Sequence, residues 1–383
     1  MTFKLPESFG QRPFARKHFR NIAQWALTHH PFYQRRGLTQ DGEIPLLSRD
    51  DILDNNTLLL NNHPITATTS GSTGVPVKIS WSEQRKNIER KASERFISWL
   101  GGRRSVIRFI HDDTPADNLL DVNSSIADQL MMIEHRRHIS DAITTYPSNA
   151  ERLCRAVIEQ RLDMSHIQRF GVYAEVFEAE QEVLIRQAFP NAQIWSTYSS
   201  QEFGMIAGRC PHNPRYHHIM AGKIGVEILD DSGQPCPPGQ IGRLVITDFF
   251  NQNSPLIRYD IGDLAAWGEC DCGQIDLPSI EQVLGKIRGS LVHKNGERIP
   301  FTHLSVALRD IESMRQYQVI QEQLERFTLR LVNPRGSEDD TLREEVHQVF
   351  YQHFGYQTDI TIVFEKSIER EQNGKFYSSI CRL

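Results

Sequence analysis

The run at residues 68–78, TTSGSTGVPVK, constrains this chain more than any other stretch. It gathers hydroxyl side chains around two glycines, ahead of the basic Lys78. Glycine lets backbone N–H groups approach an anion closely, the Ser and Thr hydroxyls add donors, and the lysine adds positive charge. The run therefore reads as a phosphate-binding loop. It fits neither GxxxxGK[ST] nor GxGxxG, so the usual kinase and dinucleotide folds lose support. Taken alone, such a cluster also reads as a turn, and the decision falls to the rest of the chain.

A chain of 383 residues exceeds what one core usually organises, and at least two domains are expected. Hydrophobic residues at 39%, charged residues at 24% and a net charge of -5 are ordinary for a folded soluble protein. They give no electrostatic reason to bind nucleic acid or an anionic membrane, so the expected partner is a small molecule. No apolar run approaches the roughly 20 residues that span a bilayer, and the opening MTFKLPESFGQRPF has no signal-peptide core. A cytoplasmic location is the default expectation. The six cysteines are too few for a disulfide scaffold in a chain this long.

Helical and strand-like patterns alternate. Phe19, Ile22, Ala23, Ala26 and Leu27 recur at helical spacing, Ser148 with Glu151 offers a capping box for a second helix, and a third is expected over 176–189. Strand-like runs cover 194–198, 224–229 and 244–247. From about 286 the pattern restarts with the strand-like ERIP, a helix over 302–313, a strand at 327–332, a helix opened by Thr341 and Glu344, and a strand at 360–364. The fold class is α/β. A large mixed α/β domain is expected over 1–285 and a small α+β domain over 286–383.

Three further segments follow the loop in order: STYSSQEFG at 196–204, PLIRYDIGD at 255–263 and REQNGKF at 370–376. With HPFYQRRG and IPLLSRDDILDN upstream, the chain resembles the adenylate-forming superfamily of acyl-CoA synthetases, peptide-synthetase adenylation domains and luciferases. Its phosphate loop reads like TSGSTGxPxK, and the closest likeness is to the compact phenylacetate-CoA ligase-like branch. The resemblance covers nearly the whole chain. It implies that ATP and Mg2+ are used to activate a carboxylic acid as acyl-AMP, with a small C-terminal domain that is mobile.

Carried over residue by residue, the resemblance gives Thr69, Ser70, Gly71, Ser72, Thr73, Gly74 and Lys78 to the phosphates. Tyr198 and Ser199 line the nucleotide and acid sites, Glu202 is the magnesium-linked carboxylate, and Asp263 accepts hydrogen bonds from the ribose hydroxyls. Lys375 is the catalytic lysine, an ammonium set where charge builds as the carboxylate attacks the α-phosphate. His111, Tyr173, Ala174 and Tyr198 fall where the branch shapes its acid pocket and point to an aryl acid. Each of these also suits plain core packing. Asp260 and Ile261 depart from the family's RYxTGD pattern and leave Asp263 in place.

Gly285-Lys286-Ile287-Arg288-Gly289 stands where the family shows a GRxDD hinge. Arg288 and Gly289 replace its acidic pair and Lys286 its Arg, which leaves domain rotation open. Cys210, His218, Cys270 and Cys272 match in order a Cys, His, Cys-x-Cys set that binds structural Zn2+ in parts of the branch, with His212 and His217 competing for the histidine place.

The resemblance implies transfer of the acyl group to a thiol, that of coenzyme A or a carrier-protein pantetheine. An amide ligase that uses an amine acceptor is the runner-up, since the chain is short for an acyl-CoA synthetase. A catalytically inactive adenylate-binding protein is the third reading, favoured only by the altered hinge. A homodimer is among the expected assemblies.

Overall fold

The computed structural model describes the whole chain except residues 1, 2, 10, 11, 69–75, 113–115, 176, 178, 287–290, 297, 300, 302, 303, 305, 306, 309, 310, 312–315, 333–339 and 371–375. It divides into two compact units, Met1–Val283 and Leu284–Leu383.

In the first unit, helices α1 (Pro13–His29), α2 (Pro31–Arg36), α3 (Arg49–Asp54) and α4 (Asn56–Leu60) precede a short hairpin of β1 (Ala67–Thr68) and β2 (Lys78–Ile79). Then come α5 (Glu83–Trp99), β3 (Val106–Phe109), β4 (Leu119–Leu120), α6 (Ile126–His135), β5 (Ala142–Thr145), α7 (Pro147–Glu159), β6 (Arg169–Tyr173), α8 (Ala179–Ala188) and β7 (Gln193–Ser200). The strands β8 (Gly204–Arg209), β9 (His217–Ile219), β10 (Ile224–Leu229), β11 (Ile241–Asp248), β12 (Tyr259–Gly268) and β13 (Ser279–Lys286) follow with no helix between them among the described residues.

Eleven of these strands form one sheet, ordered β10-β11-β12-β13-β9-β8-β7-β6-β5-β3-β4. From β4 to β7 neighbouring strands are parallel. The pairs β7–β8, β8–β9, β9–β13, β11–β12 and β10–β11 are antiparallel. The change of sense is written in the connections: α6, α7 and α8 carry the crossovers that parallel neighbours require, whereas turns and loops without helices link strands beyond β7 among the described residues. Two apolar layers result. Ile107, Ile143, Phe170 and Ile194 pack with Leu153, Val157 and Ile185 of the crossover helices. On the antiparallel half, Ile228, Ile246 and Tyr259 pack with Phe19, Ile22 and Ala26 of α1, the face that the helical spacing predicts.

The second unit holds a hairpin of β14 (Leu291–Val292) and β15 (Arg298–Ile299). Beside it, β16 (Gln316–Gln323), β17 (Arg326–Val332), β18 (Asp359–Phe364) and β19 (Ser379–Cys381) make a four-stranded sheet of order β18-β17-β16-β19. The helix Asp340–Phe354 buries Leu342, Val346, Phe350 and Phe354, one residue per turn, against Phe327 and Leu329.

Two capping expectations fail. Ser148 lies inside α7, where Pro147 takes the first helical position and the Ser148 N–H donates to Glu175 Oε2 at 2.9 Å. Thr341 likewise follows the helix start at Asp340. A reciprocal capping box occurs instead at Ser48 and Asp51. The helix expected over 302–313 falls largely outside the described residues, and strands β16 and β19 come in addition to the sequence reading.

Packing is close where β6 meets β7. Gly171 lies opposite Trp195, and a Cβ built on Gly171 would stand 2.1 Å from the Trp195 ring. Gly171→Ala is expected to cost about 1–3 kcal/mol through forced displacement of the indole. A urea midpoint unchanged from that of the parent would contradict this packing.

Candidate functional site

Four parallel strands end along one edge of the sheet, and open α/β sheets bind ligands beyond such carboxyl ends. The register Phe109↔Thr145, Thr145↔Val172 and Val172↔Ser196 sets these four residues level. Past this row stand His111, Tyr146, Tyr173 and Ala174. The Tyr146 and Tyr173 rings meet edge-on with centroids 5.7 Å apart, and Ala174 packs in the same cluster. The His111 N–H donates to the Tyr146 hydroxyl at 3.3 Å, and its ring Nδ1 lies 2.9 Å from Asp121 Oδ2. Ala174 adopts φ 72, a left-handed conformation costing a non-glycine residue about 1–3 kcal/mol. Such strain marks a place where backbone geometry outranks stability.

Next along the edge, β7 reverses into β8 through residues 201–203. The turn carries Glu202, which is only 7% exposed. On β12, residues 261–263 bulge opposite Leu244, since the ladder passes from Arg243↔Leu264 to Val245↔Asp260. Gly262 supplies φ +79 for this bulge, and Asp260 Oδ1 accepts its N–H at 3.0 Å. A bulge re-aims the side chain beside it, here Asp263. The Tyr198 hydroxyl donates to Asp263 Oδ2. Burial, then Asp263, and finally the nearby Glu202 hold the Tyr198 phenol well above the ordinary tyrosine range. Burial and then Glu202 also raise the Tyr259 phenol. Tyr198, Glu202 and Asp263 are thus brought together, whereas Ser199 is exposed on β7.

Thr68 and Lys78, at either end of the hydroxyl-rich run in sequence, face each other across the β1–β2 ladder. Asn56 grips Lys78 through both its backbone groups, at 2.8 and 2.9 Å. Thr69, Ser70, Gly71, Ser72, Thr73, Gly74 and Lys375 lie outside the described residues, as do 287–289 of the hinge sequence.

A charged cluster that sequence reasoning missed lies behind the Glu202 turn. Arg85 is fully buried and bonds Asp248 through Nε, Glu89 at 2.9 Å and the Phe203 carbonyl at 2.5 Å. Lys223, 1% exposed, donates to Glu89 at 2.5 Å and to the same Phe203 carbonyl at 2.6 Å. Two cations thus face two carboxylates. Burial, with Arg85 adding to it, brings the Lys223 ammonium down from 10.5 to about 8, against the pull of Glu89. In sequence, Arg85 and Glu89 look like an exposed i,i+4 pair on a polar helix.

Cys210, His218, Cys270 and Cys272 form a second cluster, with their ligand atoms all within 4.8 Å of one another. Cys270 Sγ lies 3.8 Å from Cys210 Sγ, and Cys272 Sγ lies 3.7 Å from His218 Nε2. A tetrahedral ion with bonds of roughly 2.0–2.3 Å sets its ligand atoms about 3.5–3.8 Å apart. His218 Nδ1 faces the Leu277 carbonyl at 3.1 Å, so that nitrogen carries the proton and Nε2 turns its lone pair to the cysteines. Desolvation opposes the Cys272 thiolate, yet the Gln274 and Ile275 N–H groups bring its pKa down. His212 and His217 stand outside the set, and His217 Nε2 pairs with Ser196 Oγ at 3.0 Å.

Lys223 has a thermodynamic signature. A lysine whose folded pKa lies near 8 and whose unfolded value is 10.5 burdens the folded state below pH 8. Between those values the unfolded chain binds more protons, so stability rises with pH. The parent should gain on the order of 3 kcal/mol relative to Lys223→Met as pH goes from 8 to 10.5. A stability difference that stays flat in urea titrations over this window would contradict the buried ammonium.

Comparison with known proteins supplies context for this geometry. Residues 291–381 match the family described as the CapK C-terminal domain. The phenylacetate-coenzyme A ligase of Thermus thermophilus is 21% identical over 394 residues, spanning 90% of this chain and 83% of the relative. Among solved structures, 2-hydroxyisobutyryl-CoA ligase in the postadenylation state with R3-HIB-AMP superposes with a TM-score of 0.75 at 17% identity, over 98% of this chain and 90% of that one. The anthranilate CoA ligase AuaEII, in complex with anthranoyl-AMP, gives a TM-score of 0.59 at 15% identity, over 81% of this chain and 65% of that one. Among the described residues, no helix is long and apolar enough to cross a membrane. Across most of its length the chain is similar in sequence to a phenylacetate-coenzyme A ligase, and its fold is that of CoA ligases solved with their acyl-AMP intermediates.

Proposed function

We propose that this chain is an ATP-dependent ligase that activates a small carboxylic acid as its acyl-AMP and passes the acyl group to the thiol of coenzyme A. The observation that carries the reading is the meeting of Tyr198, Asp263 and Glu202 beside the carboxyl ends of the parallel strands. A carboxylate accepts several hydrogen bonds at once, so Asp263 can hold ribose hydroxyls while it keeps the Tyr198 hydroxyl.

In the first step an oxygen of the acid attacks the α-phosphorus of ATP and the bond to pyrophosphate breaks. In the second, the thiol sulfur attacks the acyl carbon, its proton passes to solvent, and the carbon–oxygen bond to AMP breaks. The loop residues Thr69, Ser70, Gly71, Ser72, Thr73 and Gly74, with Lys78, hold the phosphates. Glu202 holds Mg2+, a hard ion that takes few protein oxygens and neutralises phosphate charge. Lys375, delivered by a mobile domain over 286–383, stabilises the charge of the first step. His111, Tyr173 and Ala174 line the acid pocket, whose paired Tyr146 and Tyr173 rings suit an aryl acid. Dependence on ATP and coenzyme A fits a cytoplasmic enzyme. We further infer that Cys210, His218, Cys270 and Cys272 bind Zn2+ as a structural tie between the ends of β8, β9 and β12.

The test is acid-dependent exchange of labelled pyrophosphate into ATP, followed by mass analysis of products with coenzyme A, a pantetheine carrier or amines. Exchange with a panel of aryl acids and a coenzyme A thioester as product is expected. No exchange with any acid would overturn the reading, and an amide product would move the acceptor to an amine. Lys375→Ala should lower acyl-AMP formation by about 10²–10³ while transfer from presynthesised acyl-AMP persists. Equal loss in both half-reactions would remove Lys375 from that role.

Metal analysis of the purified protein is expected to give about one zinc per chain, and Cys272→Ser should release it and lower the melting temperature. Metal-free parent protein of unchanged stability would contradict the zinc assignment.

A further inference from the structure

Helix α5 spends charged side chains on the interior, at a cost of several kcal/mol for each buried ion. Apolar residues would fill the same space more cheaply. What Arg85, Glu89 and Lys223 supply, and apolar residues do not, is a set of hydrogen-bonding groups aimed at one short stretch of backbone. The Phe203 carbonyl accepts from both Arg85 Nη2, at 2.5 Å, and Lys223 Nζ, at 2.6 Å. The Met205 N–H donates to Glu89 Oε1 at 2.8 Å. Just before α5, the Trp81 indole N–H donates to the Glu202 carbonyl at 3.2 Å, and its ring stacks under the Arg85 guanidinium at 4.5 Å. Gly204 takes φ +61 and leaves no room for a side chain, since an added Cβ would lie 2.5 Å from the Glu89 carboxylate. Backbone groups of residues 202, 203 and 205 are therefore held by side chains from outside the turn.

We propose that Trp81, Arg85, Glu89 and Lys223 are positioning residues for Glu202, locking the turn that presents its carboxylate. The inference rests on the reading of Glu202 as the metal-linked acid of adenylation. It adds the device that fixes that acid, built on the helix that follows the phosphate-loop hairpin. A carboxylate on an unsupported turn samples many orientations, and a displacement near 1 Å at a reacting centre costs about a hundredfold in rate. The quartet, with Asp248 as the second carboxylate, is neutral as a whole, so it holds the turn without setting a strong field against the magnesium that Glu202 faces.

The experiment compares the parent with Glu89→Gln and Trp81→Phe in the acid-dependent exchange assay, reading kcat, the acid KM and the Mg2+ concentration for half-maximal rate. In Glu89→Gln, kcat should fall between about tenfold and a hundredfold. In both variants the Mg2+ requirement should rise at least about threefold, because the metal-binding carboxylate is no longer fixed, while the acid KM stays within about twofold of the parent. Trp81→Phe removes a single N–H and keeps an aromatic ring beneath Arg85, so it decides the matter if Glu89→Gln does not fold.

An unchanged Mg2+ requirement in folded variants overturns the proposal, whether kcat holds or falls only in step with the folded fraction measured by circular dichroism. Those results leave the adenylation reading intact. Absence of exchange in the parent overturns both together.

Discussion

The organising constraint is the reversal of the chain between β7 and β8. Up to β7 the strands run parallel and their helical crossovers leave every carboxyl end on one edge. At Ser200 the chain turns back, and from there the sheet grows antiparallel. A turn at that place lies beside the row of strand ends, and a side chain on it faces whatever binds there. Glu202 occupies the turn, and Asp263 arrives beside Tyr198 from a bulge in β12 on the antiparallel half. The two halves of one sheet thus supply different parts of the proposed site.

Holding such a turn requires more than its own sequence. The loop has no helix to satisfy its carbonyls, and residues 202, 203 and 205 take partners from Trp81, α5 and Lys223 instead. Asp248, at the end of β11, completes the group by bonding Arg85 and capping the Phe250 and Asn251 N–H groups. Helix α5, the Glu202 turn and the exit of β11 are in this way joined by charge. The Cys210, His218, Cys270 and Cys272 cluster gathers residues of β9 and residues just past the ends of β8 and β12.

Much of this was legible in the sequence where local chemistry speaks for itself. Helix α1 shows its buried face in the spacing of Phe19, Ile22, Ala23 and Ala26, and β10 lies where an apolar run falls between turn signals. Motif order, more than any single motif, singled out Glu202, Asp263 and the Cys/His set as candidates. What escaped were residues whose meaning is set by distant partners. Arg85 and Glu89 have the look of a solvated helix pair until Lys223 and Asp248, more than 130 positions away, come into contact with them. Ser148 carries a sound capping pattern, yet Pro147 starts that helix, because a fixed φ and a missing N–H suit the first position better than a hydroxyl suits the second. The strand β16 alternates polar and apolar residues weakly, and its assignment needs β17 and β19 beside it.

The central claim is that Asp263 and Glu202 face one bound nucleotide. A crystal structure with a non-hydrolysable acyl-adenylate analogue tests it most directly. The account requires the ribose hydroxyls within hydrogen-bonding distance of Asp263, with the aryl group beside Tyr173 and Ala174. Density for the analogue elsewhere on the protein, with no ribose hydroxyl near Asp263, would contradict it.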